Sequence, residues 1–386
     1  MSKRTWILLL IASVIITFIF KTPSSRVDID AATVVIESKR KLPNHNLAPQ
    51  KEQIAQNIAE QSRYDIEHYV EQEGNADALS CLPNITFDQT NYQEEIDSFF
   101  VQLGKSTLLD NRLYYALFAE LPDSKAKFEL LYDYYLLDPS QPLIANQLIN
   151  LCTTVQDAKC TDDFIIQLVS VDDNNGHMWM NVAFHFAQHG DDENVIYAID
   201  RLTKTSTFNE RFGEQALMYA RALEGSNANS FNLNAVAGIG KVAAISSNLG
   251  ALLRWCDDNR DSNSAQMSCL TLGEQLATRS KTKLNQMFGL TLQKDIYQQL
   301  NRQDMVSNIA KILDNPNRKL PEDKHINFEI MLMLDESLLR RYLANIDVYG
   351  EEESIKLSIE EAKALHEKDN NHICSLAHEM LESADI

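Results

Sequence analysis

Residues 171–202 read VDDNNGHMWMNVAFHFAQHGDDENVIYAIDRL, and their polar breaks and apolar spacing decide the fold class. Asp172 to Asn175 form a polar break, after which Met178, Val182 and Phe186 recur every four residues. That spacing puts all three side chains on one helical face. Gly190-Asp191 breaks the pattern, and Val195, Ile199 and Leu202 then mark the buried face of a second helix. Working backward by 34 residues, Asp138-Pro-Ser-Gln-Pro142 stands where Asp172-Asp-Asn-Asn-Gly176 stands. At the same offset Leu137 aligns with Val171, Ile144 with Met178, Leu148 with Val182 and Cys152 with Phe186. Ile165 and Leu168 align with Ile199 and Leu202. A further step back gives Phe118, Leu131 and Tyr134, and a step forward gives Phe212, Ala216 and Ala220. Apolar residues at one phase of such a period predict stacked helix pairs, each sharing its core with its neighbours.

This period, with Trp179, the aromatic Phe186 and Gly190 at their positions, resembles the tetratricopeptide (TPR) repeat family. The resemblance covers residues 106–225, with other residues at Val182, Ala183, Val195, Ile199, Leu202 and Thr207. It implies an all-α, α-α helical-repeat solenoid that binds a protein or peptide in a concave groove. On first helices, Asn146, Asn150, Asn181 and His185 are the expected groove residues.

The remaining chain divides around this region. Residues 1–21 read as a signal-anchor, 22–46 as a tether, 47–105 as an N-terminal helical segment and 226–386 as a C-terminal helical region. Ala235 to Leu253 is poor in charge and rich in small residues, which predicts a buried helix with close neighbours at Gly238 and Gly240. Phe328 to Leu343 carries an apolar stripe and reads as a core helix, while Asp191-Asp192 and Glu351-Glu352-Glu353 read as solvated loops. Ala237-Gly-Ile-Gly-Lys241 is not a phosphate loop, because Ala235 and Val242 replace the required Gly and Ser/Thr.

Thr5 to Phe20 is uncharged and mostly apolar, bounded by Lys3-Arg4 and Lys21. Its length corresponds to about 24 Å of helix, short for a hydrocarbon core of roughly 30 Å. Snorkelling by Arg4 and Lys21 would close the difference. No small-residue cleavage step follows Phe20 directly, so an uncleaved anchor is expected, with a cleaved and secreted form as the competing reading. The excess of positive charge before the run places the N-terminus in the cytoplasm and the body in a periplasm.

The balance of 35 basic to 55 acidic residues gives a net charge of −20, which excludes phosphate backbones as natural partners. A hydrophobic fraction of 44% supports a sizeable core. Six cysteines in an exported body suggest disulfides. Cys152 and Cys160, and Cys256 and Cys269, each flank a short polar stretch between two helices and are the candidate pairs, leaving Cys81 and Cys374.

No nucleophile elbow or glycine fingerprint is present, and no cofactor is expected. His185 and His189 lie four residues apart on one helix face, the spacing of a metal pair, and Cys374 with His378 repeats it. Ordinary packing competes with both. The expectation is a membrane-anchored, periplasm-facing scaffold that binds protein partners, with an exported all-α enzyme or metal-binding protein using the histidine-rich helix as the alternative.

Overall fold

A computed structural model describes residues 92–155, 157–226, 230–245, 249–314 and 331–368. The apolar run 5–20, the tether, Cys81, Cys374 and His378 lie outside the described residues. Among the described residues no helix is long and apolar enough to cross a membrane.

The described chain is all-helical, with helices packed in adjacent pairs. In chain order these are α1 (Tyr92–Gly104), α2 (Leu109–Phe118), α3 (Ser124–Leu137), α4 (Pro142–Cys152) and α5 (Asp162–Val169). Next come α6 (Gly176–His189), α7 (Asp192–Thr203), α8 (Phe212–Ala222), α9 (Phe231–Ile245) and α10 (Leu249–Asp258). The last are α11 (Asn263–Arg279), α12 (Lys283–Gln299), α13 (Gln303–Leu313), α14 (Glu336–Tyr349) and α15 (Glu351–Lys368).

The polar breaks act as helix caps. Gln141 caps α4 ahead of Pro142, Thr161 caps α5, Asn175 caps α6 and Asp191 caps α7, each accepting from a first-turn backbone N–H. Gly190 ends α6 at φ 71°, a left-handed conformation that glycine adopts without a Cβ penalty. Asp191 and Asp192 therefore start a helix instead of forming a solvated loop. The Asp192 carboxylate also accepts from Trp255 Nε1 at 2.7 Å, fastening α7 to α10.

The positions that recur every 34 residues are core positions. Ile144, Leu148, Cys152, Met178, Val182 and Phe186 are buried, as are Ile165, Leu168, Ile199 and Leu202. Phe118, Leu131 and Tyr134 join the same core. Leu137 departs from the pattern at 49% exposure, since it ends the last turn of α3 just before the Asp138 cap.

The order of packing in space departs from the order in sequence after α7. Helix α4 packs on α6, α6 on α10 and α7 on α11, so the α10–α11 hairpin occupies the place beside α6–α7. The α8–α9 hairpin packs instead on α2 and α14. Ala216 and Ala220 are buried, as the period predicts, but within a second core that includes Phe231, Ala235, Leu339, Leu343 and Ile346. Two local features turn the chain aside. Arg211 enters α8 in a left-handed conformation, at φ 54°. Gly213 and Ala216 then let neighbouring backbones approach α8 closely, because a Cβ at Gly213 would overlap the Leu343 carbonyl oxygen and one at Gly238 would lie 2.8 Å from that of Ala216.

Three expectations are corrected here. The segment expected as one helix from Ala235 to Leu253 belongs to two, α9 and α10, and Gly240 faces open space while Gly238 makes the close approach. The stripe from Phe328 to Leu343 is interrupted at Asp335, whose carboxylate caps α14 by accepting from Leu338 N. Glu351 to Glu353 open α15, where the helix dipole favours negative charge in the first turn.

Two disulfides form as the cysteine spacing suggests. Cys152–Cys160 spans the α4–α5 connection with Cα atoms 5.4 Å apart, and Cys256–Cys269 joins α10 to α11 with Cα atoms 6.0 Å apart.

Candidate functional site

Of the four expected groove residues, Asn181 and His185 are buried, while Asn146 and Asn150 are half-buried. Asn146 and Asn150 lie on α4, which packs against α6 carrying Asn181 and His185. Asn181 Nδ2 donates to Asn146 Oδ1, tying the two helices. Asn181 is only 2% exposed and His185 only 3%. The reason is the character of α6, buried continuously from Gly176 to Phe186 and so packed on all sides, as helices apolar all round are. His189, one turn beyond, is exposed, and its ring lies 4.4 Å from that of His185, centroid to centroid.

An open cleft lies elsewhere, where the loops after α5, α7 and α11 meet the end of α14. It encloses about 690 Å³, lined by Asp172, Asn174, Ser206, Thr207, Asn209, Arg211, Thr278, Arg279, Lys281, Asp347 and Val348 among others. A second cavity of about 440 Å³ also reaches Asp347, between Asp110, Tyr114, Glu214, Arg221 and Ala344.

Polar side chains build the cleft walls. Asn175 clamps the loop leaving α7, its Nδ2 donating to Asn209 O and its Oδ1 accepting from Asn209 N, both at 2.9 Å. Arg279 Nη2 donates to the carbonyls of Thr205 and Thr207 at 2.7 and 2.9 Å, holding the loop that leaves α7. Lys281 Nζ donates to Val348 O at the end of α14, at 2.7 Å. Arg211 pairs with Asp172 and with Glu214, each at 3.0 Å. The cations of the cleft are thus committed to carbonyls and carboxylates of the protein.

Carboxylates cap helices from a distance on the same floor. Arg211 and Thr282, at the N-cap positions of α8 and α12, make no side-chain cap. Asp347 of α14 supplies the cap of α8, accepting from Gly213 N at 3.2 Å and Glu214 N at 2.6 Å. Glu351 accepts from Lys283 N at the start of α12 at 2.8 Å, and the buried Glu210 accepts from Lys281 N and Asn285 Nδ2 at 3.1 Å each. Burial raises the pKa of Asp347 to about 6 against the lowering effect of its two backbone N–H donors, and burial likewise raises Glu351.

A carboxylate pKa raised on folding gives stability that is complete below about pH 4 and is lost as pH rises through about 6. Asp347 is part-exposed, so the full shift of roughly 3 kcal/mol is discounted to about 2 kcal/mol. Asp347→Asn is expected to flatten the fall in unfolding free energy between pH 4 and 6 by about that amount. Urea titrations of wild type and variant at several pH values measure this, and parallel pH profiles would contradict it.

Sequence reading used Asp172–Asn175 only as punctuation and missed the cleft. The signal available was the pair of polar loops, Asp172–Asn175 and Thr203–Asn209, one repeat period apart. No three His, Cys, Asp or Glu side chains gather as a metal cluster among the described residues. No family model, curated protein or solved structure matches this chain.

Proposed function

We propose that this chain is a membrane-anchored helical-repeat protein, facing a periplasm, that binds a protein partner at the cell envelope through a TPR-like solenoid. The carrying observation is the stacking of α4–α5, α6–α7 and α10–α11 on one core, since such arrays offer extended surfaces to polypeptides. The two disulfides support a body in an oxidising compartment. The apolar run 5–20 with its basic flanks supports the anchor.

The cleft is the best contact surface for the partner. Asn174, Ser206, Thr207 and Thr278 offer donors and acceptors on its walls, a pattern suited to the main chain of an extended segment. Anchoring would hold the body close to membrane partners and raise their effective concentration.

Crosslinking in intact cells, followed by purification of the full-length protein from solubilised membranes, tests the proposal. The expected result is one envelope protein recovered in near-equal amount. Thr278→Arg, on an exposed wall of the cleft, is expected to reduce that recovery by about tenfold. Removal of residues 1–21 is expected to release the body into the soluble fraction. Recovery of the protein alone would overturn the binding reading, and retention of the truncated body in membranes would overturn the anchor.

A further inference from the structure

We infer that Asn175-Gly176 is a latent site of covalent self-modification, which deamidates in the unfolded chain and is held inert in the folded one by the contacts of both residues. The inference is independent of partner binding.

Asn175-Gly176 is the one Asn-Gly step in the sequence. In such a step the glycine backbone nitrogen attacks the side-chain amide carbon of the asparagine. A new N–Cγ bond closes a cyclic imide as the Cγ–Nδ2 bond breaks. The proton of the attacking N–H passes to Nδ2, which departs as ammonia. One water then opens the imide at either carbonyl and leaves aspartate or isoaspartate. Water is the only co-reactant. Glycine favours the closure because it has no Cβ to obstruct the approach and lets the backbone turn freely.

The native structure engages both reacting groups. Gly176 N, the nucleophile, donates to Thr207 O at 2.8 Å. Asn175 Nδ2 donates to Asp172 Oδ2 and to Asn209 O, both at 2.9 Å. Asn175 Oδ1 accepts from Asn209 N at 2.9 Å and from His177 N at 3.1 Å. Two acceptors face Nδ2 and two donors face Oδ1, so the network fixes which way the amide points. Asn175 is only 3% exposed, and Gly176 is buried beside it. The amide carbon therefore cannot turn to meet Gly176 N without breaking several buried hydrogen bonds at once, and groups so stripped would stay buried and unpaired.

The product cannot rebuild the site. Aspartate at 175 could still accept from Asn209 N and His177 N, but it has no donor for Asn209 O. It would also set a second carboxylate against Asp172, and the nearby Arg211 already serves Asp172 and Glu214. Isoaspartate routes the main chain through the side-chain methylene at the N-cap of α6, where the entry angle of the helix is set. Either product loosens the clamp that joins the loop before α6 to the loop after α7. Each excursion to the unfolded state thus carries a risk of permanent damage at the cleft.

The test incubates purified full-length protein at mildly alkaline pH, with and without guanidinium chloride, and follows Asn175 by peptide mass spectrometry and an isoaspartate assay. Conversion at least about tenfold faster in denaturant is expected, because native conversion proceeds only through the open population. Asn175→Asp, made directly, reads the consequence apart from the chemistry, and a lower urea midpoint than wild type is expected. Equal rates with and without denaturant, no conversion at Asn175 in denaturant, or an Asn175→Asp midpoint at or above that of wild type would each overturn the inference.

Discussion

Replacing Gly213 with Ala is expected to lower the unfolding free energy by about 3 kcal/mol, the upper part of the range for overpacking a close contact. Gly213 is the second residue of α8 and faces α14, where an added Cβ would overlap the Leu343 carbonyl oxygen and fall 3.2 Å from the Asp347 carboxylate. The obstacle is backbone, which cannot rotate aside as a side chain can. Relief would therefore require α8 and α14 to separate. Separation would also stretch the hydrogen bonds from Gly213 N and Glu214 N to Asp347, removing the only side-chain cap that α8 has among the described residues. Gly240→Ala is the matched control. Gly240 lies in α9, itself part of the second core, but nothing stands within 4 Å of an added Cβ. There the helix preference of Ala is expected to add about 0.5–1 kcal/mol. Urea unfolding followed by circular dichroism measures both variants. Equal effects at the two glycines would contradict the α8–α14 contact.

Removal of the two disulfides is expected to lower stability by about 5 kcal/mol in total. Closing a loop at a sequence separation of 8, Cys152 to Cys160, corresponds to about 2.5 kcal/mol, and at a separation of 13, Cys256 to Cys269, to about 3 kcal/mol. The two bridges staple different hairpins, α4–α5 and α10–α11, so their effects should add. Domains commonly have only about 5–15 kcal/mol to lose. Reduction of both bridges should therefore bring the body close to unfolding, and the Cys256→Ser/Cys269→Ser pair should be the more damaging. Its sulfurs belong to fully buried residues at the place where α10–α11 docks on α6–α7. Thermal unfolding with and without reductant measures the total, and paired serine variants measure each bridge. An unchanged midpoint under reduction would contradict the disulfide assignment.

Helical pairing was legible in the sequence because periodicity is local. Ile144, Leu148, Met178 and Val182 repeat on one face whatever the helix meets, and the breaks at Asp172–Asn175 and Gly190 interrupt that pattern locally, though it reads Asp191, the cap of α7, as a solvated loop. The two stapled pairs were legible for the same reason, since each closes a short loop. The burial of two of the four expected groove residues was not legible, because a periodic polar residue does not reveal what lies over it. Asn181 and His185 occupy the expected phase, yet α6 is buried from Gly176 to Phe186.

By itself, the sequence determined the class of secondary structure, the phase of the core faces, the polar breaks between helices and the two candidate cysteine pairs that close short loops. These follow from side-chain spacings within one helix or across one short loop. Only the tertiary structure decided that α10–α11, not α8–α9, stands beside α6–α7, and that Asp347 and Glu351 cap helices whose own sequences lack caps. Those choices depend on which distant surfaces fit. A glycine that admits a neighbouring backbone and a carboxylate that reaches an orphan N–H across more than sixty residues leave no periodic trace in the chain.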